Sequence, residues 1–314
     1  MGQDSEDKPL IIISGPTAVG KTDISIMLAK STGAQIISAD SMQVYRGMDI
    51  GTAKVTREEM RSVPHHLIDI FDPHEDFNVC KFVSMAKHII RDVNSRARLP
   101  VITGGTGFYI RALLYDCDFE TEDDELHANV RKKYEHILSE KGKEYLFELL
   151  KTNDPGSAES IHENNTKRVI RALEYLEVTG RSISSDNKKN REKPSPYNFA
   201  CFAINMERTL LYERIEERVD RMMEQGLLDE VRHLRSLGLT KENTSMQGIG
   251  YRQLLRYLDG ECTLGDAVDS IKTDTRHFAK RQLTWFRGME DVIWIDPGDT
   301  QRIYEILREK EIYK

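Results

Sequence analysis

The sequence predicts an α/β protein, a mostly parallel β-sheet with flanking helices and a helical insertion domain. Two observations carry this reading. Through the first hundred or so residues, short β-branched runs alternate with helix-period segments. A long charged, helix-period stretch with almost no strand signal then follows, before strand character returns near residue 199.

Leu10-Ile-Ile-Ile-Ser-Gly15 reads as a buried strand ended by glycine. Lys21 to Lys30 reads as a helix with Ile24, Met27 and Leu28 on its inner stripe. Ala34 to Ala39 is a second strand, stopping at Asp40, and His66 to Phe71 is a third, stopped by Asp72-Pro73. Phe82 to Arg96 is amphipathic and helical, and Pro100-Val-Ile-Thr103 is a strand running into Gly104-Gly105. Strand–helix alternation of this kind builds parallel sheets covered on both faces. From Glu120 to about Thr179 the helical period dominates, and Ser182 to Pro196 reads as a polar loop. Phe199 to Ile204 is again a strand, and helices fill the chain from Glu207 onward. The expected division is 1–119 with 199–314 as the core, and 120–198 as a helical insertion domain.

Composition narrows the function. None of the apolar runs among the 314 residues approaches membrane-spanning length, and the first eight residues are polar and acidic. A cytoplasmic protein with no obligate protein partner is expected. Cys80, Cys117, Cys201 and Cys262 lie far apart, and His65-His66 is an isolated pair, so neither a zinc site nor a disulfide scaffold is expected. A net charge of −7 disfavours a protein basic all over, but a local basic face can coexist with it.

Gly15-Pro16-Thr17-Ala18-Val19-Gly20-Lys21-Thr22 fits GxxxxGK[ST], between a strand and a helix as that motif requires. The expected fold is therefore P-loop NTPase-like. Backbone N–H groups and the helix N-terminus can surround an oligophosphate, Lys21 can neutralise it, and the Thr22 hydroxyl can hold Mg²⁺. The motif does not say which bond breaks. A kinase and an enzyme that expels diphosphate from carbon would use the same cradle. Asp40, at a strand end beside this loop, can bind Mg²⁺, act as a base, or cap the turn that follows.

Ser38-Ala-Asp-Ser-Met-Gln-Val-Tyr45, Gly47-Met-Asp-Ile-Gly-Thr-Ala-Lys54 and Gly104-Gly-Thr106 resemble the core of the tRNA dimethylallyltransferase (tRNA isopentenyltransferase) family, bacterial type. So do Arg168 with Arg171-Ala-Leu-Glu174, Gly248-Ile-Gly-Tyr-Arg-Gln253 and Ala279-Lys-Arg-Gln-Leu-Thr-Trp-Phe-Arg287. The motifs occur in family order from the P-loop to Arg287.

The resemblance implies transfer of a dimethylallyl group from dimethylallyl diphosphate to an adenosine 3′ of the anticodon in tRNAs reading codons that begin with U. It implies Asp40 as general base, with Thr106 and Arg218 at the diphosphate or the reacting centre. It implies contacts to the tRNA anticodon stem-loop from Asp40, Ser41, Met42, Gln43, Thr106, Arg131, Lys167, Arg168 and Arg171. Gln247, Gly248, Gly250, Tyr251, Arg252, Lys280, Arg281, Gln282 and Arg287 complete that set. Residues Thr121 to His127 depart from the family pattern.

Helical spacing adds its own reading. Arg214 and Arg218 share a helix face, so one of them can point to the diphosphate. Arg276, Lys280, Thr284 and Arg287 form a stripe suited to a phosphate backbone, with Ala279, Leu283 and Phe286 packing inward. Trp285 reads as core; Lys188, Lys189, Arg191 and Lys193, interleaved with Asp186 and Glu192, read either as a solvated loop or as a further contact to tRNA. A metabolite kinase, prenyl transfer to free AMP or ADP, and a non-catalytic RNA-binding module are the rivals.

Overall fold

In the computed structural model, the described residues are 8–115 and 124–313. The expected boundary at residue 119/120, Cys117 and the first residues of the acidic N-terminus lie outside them. The chain divides into two compact units, Met1–Leu113 with Pro196–Lys314, and Leu114–Ser195.

The first unit begins with β1 (Pro9–Ser14), α1 (Lys21–Thr32), β2 (Gln35–Ser38), α2 (Arg57–Met60), β3 (His65–His66), α3 (Val79–Ser95), β4 (Pro100–Gly104) and α4 (Gly107–Leu114). The second unit holds α5 (Asp124–Asn153), α6 (Pro155–Ser160), α7 (Thr166–Thr179) and α8 (Ile183–Glu192). The chain then returns through β5 (Asn198–Ile204), α9 (Arg208–Glu224), α10 (Leu227–Ser236), α11 (Tyr251–Leu258), α12 (Leu264–Arg287), β6 (Val292–Ile295) and α13 (Thr300–Glu309).

The strands form one all-parallel sheet in the order β3-β2-β4-β1-β5-β6. Central β1 is flanked on both sides, with Ile12 opposite Ile102 of β4 and Cys201 of β5. A strand paired twice and covered on both faces has no solvated side, and Leu10, Ile11, Ile12 and Ile13 are all fully buried. One core cluster joins β1, β2, β4 and β5 to α1, α9, α12 and α13.

Several elements differ from the sequence expectation. The third strand stops after His66, because Leu67 and Asp69 take positive φ angles of 61° and 56° and break the extended run. Met27 lies on the outer side of α1, while Ile24 and Leu28 face inward. The segment expected as a polar loop is mostly helical: Ser182 caps α8 by accepting the Ser185 N–H. Edge strand β6, the run Val-Ile-Trp-Ile, lies where only helices were expected.

The second unit has its own core, including Val130, Tyr134, Leu146, Leu150, Val169 and Leu173. Its α5 is interrupted at Gly142, whose φ of 80° is not helical. No described helix in either unit is long and apolar enough to cross a membrane.

Candidate active site

Three segments meet at the carboxyl edge of the sheet: the P-loop after β1, Asp40 after β2, and Gly105–Thr106 after β4. Strand order explains why. β4 lies between β1 and β2, so Asp40 emerges two strands from the P-loop, about 10 Å at ordinary strand spacing. Ligands of open α/β sheets bind beyond this edge.

Lys21 folds back over its own loop. Its Nζ donates to the carbonyls of Gly15 (3.1 Å) and Pro16 (2.6 Å). Burial pushes its pKa down to about 7; Arg218 lowers it further, and Asp40 opposes both. Burial likewise pulls the Arg218 guanidinium below its usual value, with Asp40 opposing and Arg221 adding to the shift. No ion pair neutralises Arg218 among the described residues. Lys21 and Arg218, both densely surrounded and beside a single carboxylate, can together hold an anion. Of the two α9 arginines, Arg218 faces it and Arg214 is exposed.

Asp40 uses one oxygen for structure. Its Oδ1 accepts the N–H groups of Met42 (2.9 Å) and Gln43 (3.3 Å), while Oδ2 makes no hydrogen bond among the described residues. The turn-capping role and a chemical role thus fall to different atoms of one carboxylate. The Gln43 side chain is already engaged with Ser38 Oγ (3.1 Å) and donates to the carbonyls of Thr52 and Ala53. Ser41 and Met42 remain partly open, as does Thr106.

Helix α12 packs over the turn after β4. A Cβ on Gly105 would collide with Gln282 Nε2, and one on Gly107 with the Trp285 ring. The glycines are therefore the condition for this close approach. Gln282 and Tyr251, both expected at tRNA, are buried and bonded within the chain. Gln282 is 5% exposed and both ends of its amide are engaged, accepting the Thr17 N–H (2.9 Å) and donating to the Gly105 carbonyl (3.0 Å). Tyr251 is 1% exposed and donates to Glu230 Oε1 (2.6 Å). Glu230 in turn accepts the N–H groups of Asp49, Ile50 and Gly51, so Tyr251 braces the 47–54 loop. Sequence reading missed Glu230 altogether, since it is one acid on an ordinary amphipathic helix.

Gly250 is buried with a φ of 99°, and serves the backbone rather than a surface. Gly248 approaches Met42 closely, which brings the 247–252 segment against the Asp40 turn. Gln247 is exposed, and Arg252 pairs with Asp274 at 2.7 Å. The expected cationic stripe on α12 is shorter than the spacing suggested, because Arg276 is paired with Glu216 of α9. Lys280, Arg281 and Arg287 are exposed and pair with no described carboxylate, while Ala279 and Phe286 are buried beneath them. Trp285 packs in partly exposed core, edge-on to Phe108.

In the second unit, Arg131 and Arg171 converge on the fully buried Glu174, at 2.9 and 2.5 Å. His127 Nδ1 meets the same carboxylate at 2.7 Å. Burial would raise the Glu174 pKa, but Arg131, His127 and Arg171 overcome it and hold the carboxyl below its usual value. Lys167 and Arg168, in the first turn of α7, are exposed.

A parallel sheet with a GxxxxGKT loop, and a carboxylate and a guanidinium beside it, defines a P-loop-like protein with a candidate anion site. Comparison with known proteins carries this further. The family model described as IPP transferase matches residues 43–289, and one described as Isopentenyl transferase matches residues 8–71. The chain belongs to the IPP transferase family. It is 51% identical to a tRNA dimethylallyltransferase of Lachnoclostridium phytofermentans, over 98% of this chain and all of that one. It is 47% identical to one of Halalkalibacterium halodurans, over 95% of each. Among solved structures, the full-length tRNA isopentenylpyrophosphate transferase of Bacillus halodurans superposes with a TM-score of 0.72 at 43% identity, covering 97% of both chains. A eukaryotic dimethylallyltransferase acting on tRNA superposes with a TM-score of 0.78 at 28% identity, covering 96% of this chain and 77% of that one.

Proposed function

We propose that this enzyme transfers a dimethylallyl group from dimethylallyl diphosphate to the exocyclic amino group of the adenosine 3′ of the anticodon, releasing diphosphate. Its tRNAs are those reading codons that begin with U. The observation that carries the reading is Asp40, with one carboxylate oxygen unbonded, electrostatically coupled to Lys21 and Arg218 beside the cradle. The names of its relatives supply the class of both substrates.

The chemistry follows from these groups. An adenine amino group is a weak nucleophile, because its lone pair is delocalised into the ring. Departure of diphosphate spreads positive charge over the allyl carbons, so a carbon–nitrogen bond can form without a strong nucleophile. The P-loop amides, Lys21 and Arg218 stabilise the departing charge, and Asp40 Oδ2 takes the amino proton as the bond forms. Thr106 lines the same edge and is assigned to the reacting centre. The target base must leave its stack to reach this edge, which costs little in an irregular loop. Exposed Lys280, Arg281 and Arg287 on α12, with Ser41, Met42, Gln247 and Gly248 near the Asp40 turn, form the tRNA surface of the first unit. Lys167, Arg168, Arg131 and Arg171 are assigned to tRNA on the second.

The residues also fit Mg²⁺. Among the described residues no three His, Cys, Asp or Glu side chains form a metal cluster. The donor assigned to it is the Thr22 hydroxyl. So sparse a set suits a hard cation that keeps its waters and takes the rest of its ligands from phosphate. Bound there, Mg²⁺ would neutralise diphosphate charge.

The test is incubation with labelled dimethylallyl diphosphate and unmodified tRNA, AMP or ADP, followed by nuclease mapping. Label on the adenosine 3′ of the anticodon, with release of diphosphate, is expected. Label on free nucleotide alone, or on another tRNA position, refutes the reading.

A further inference from the structure

The Gln282 side chain joins two segments that the proposed chemistry must hold at a fixed separation. On one side it accepts the Thr17 N–H of the P-loop (2.9 Å), and on the other it donates to the Gly105 carbonyl next to Thr106 (3.0 Å). Both bonds are shielded, since the side chain is 5% exposed. A carboxamide offers an acceptor and a donor side by side without charge at neutral pH. The fit is close: no side chain at Gly105 leaves room for the amide, and Gly15 O lies only 3.4 Å from where a Gly105 Cβ would stand.

The bond to Thr17 also decides which loop amides are left for a ligand. Pro16 has no N–H, and the N–H of Thr17 is taken. Among the described hydrogen bonds none takes the N–H groups from Ala18 to Thr22, which remain available to a phosphate. Lys21 binds the Gly15 and Pro16 carbonyls, immediately before Thr17, so a shift at Thr17 moves the seat of the ammonium as well.

We propose that Gln282 is a positioning residue, a strut that sets the spacing between the phosphate cradle and the Thr106 turn and thereby the affinity for diphosphate. This rests on the reading of the P-loop as a diphosphate cradle. It separates the two sides of α12: Lys280 and Arg281 face solvent, while Gln282 faces the cradle from the same helix.

The test compares Q282M, which keeps the length but loses both bonds, with Q282E, which keeps the acceptor. Inorganic diphosphate affinity is measured by calorimetry between pH 6 and 8, tRNA affinity by filter binding, and folding by thermal melting. Q282M should weaken diphosphate binding and raise KM for dimethylallyl diphosphate about tenfold, as expected when a shielded backbone pair loses its partner. Its tRNA affinity should stay within about twofold. Q282E is the more specific probe. As a carboxylate it repels the Gly105 carbonyl, but protonated it can donate to that oxygen as the amide does. Burial beside a carbonyl raises the pKa of such a carboxyl. The ratio of Q282E to parent diphosphate affinity should therefore climb toward one as pH falls. A flat ratio overturns the strut, as does a Q282M variant that loses tRNA affinity while keeping that for diphosphate. Should Q282M fail to fold, the Q282E profile decides alone. Failure of the parent to bind diphosphate would instead overturn the cradle reading itself.

Discussion

Replacing Asp40 with Asn keeps the shape of the side chain and removes its charge. Oδ1 holds the following turn through the Met42 and Gln43 N–H groups, and an Asn oxygen can accept both bonds, though more weakly than a carboxylate. The fold should lose almost nothing. Asp40→Ala, by contrast, frees two N–H groups and should cost about 1–2 kcal/mol of local stability. At the second oxygen Asn carries an NH₂, which donates where a base must accept. The chemical step should slow by about 10²–10⁴, or about 3–5 kcal/mol of barrier. A second effect follows from charge. Asp40 is the group that raises the Lys21 pKa against burial and Arg218, so its neutralisation lets that pKa fall further. Diphosphate affinity of Asp40→Asn should therefore drop more at pH 8 than at pH 6. Single-turnover rates near pH 6, with both substrates saturating and Mg²⁺ varied, separate chemistry from binding. A rate within tenfold of the parent refutes the base assignment, and recovery with added Mg²⁺ makes Asp40 a cation ligand instead.

Three further outcomes are expected. Lys21 is mostly neutral above pH 7 in the free enzyme, so diphosphate binding at pH 8 should take up a proton that Lys21→Met does not. Calorimetry in buffers of different ionisation heat measures this, and equal uptake in both proteins would contradict the lowered pKa. Lys280→Ala and Arg287→Ala should each lower the log–log salt slope of tRNA binding by about one unit. Slopes equal to the parent's in both would return α12 to an ordinary solvated face. In the second unit, Glu174 has a folded pKa below its unfolded value, so its stabilisation is complete above the unfolded pKa and fades as pH falls through the folded one. Glu174→Gln should cost about 1–3 kcal/mol at neutral pH, less than for a fully buried pair because Arg131 and Arg171 can resolvate. The gap to the parent should narrow in acid. Urea denaturation at pH 7 and pH 4 tests this, and a gap that widens in acid would contradict the assignment.

The P-loop, the strand end at Asp40 and the glycines before Thr106 were legible in the sequence, because each is a local signal: backbone conformation and near-neighbour chemistry fix it within a few residues. The family motifs extended that reading to the reaction. Edge strand β6 carried a β-branched and aromatic signal but was lost among helical neighbours, since four residues hold too little periodicity to compete. What the sequence left open was which member of each motif faces the ligand. Gln282 lies between Arg281 and Leu283 in a basic stretch, and nothing local distinguishes an amide turned toward solvent from one turned inward. Only packing of α12 onto Gly105 and Gly107 does so, across a separation of 177 residues. Tyr251 and Glu230 were fixed in the same way, by a loop whose N–H groups needed an acceptor that chain neighbours could not supply. Residue type and spacing determine what chemistry is available; burial and long-range hydrogen bonds decide which atoms remain to perform it. The one free oxygen of Asp40 depends on both.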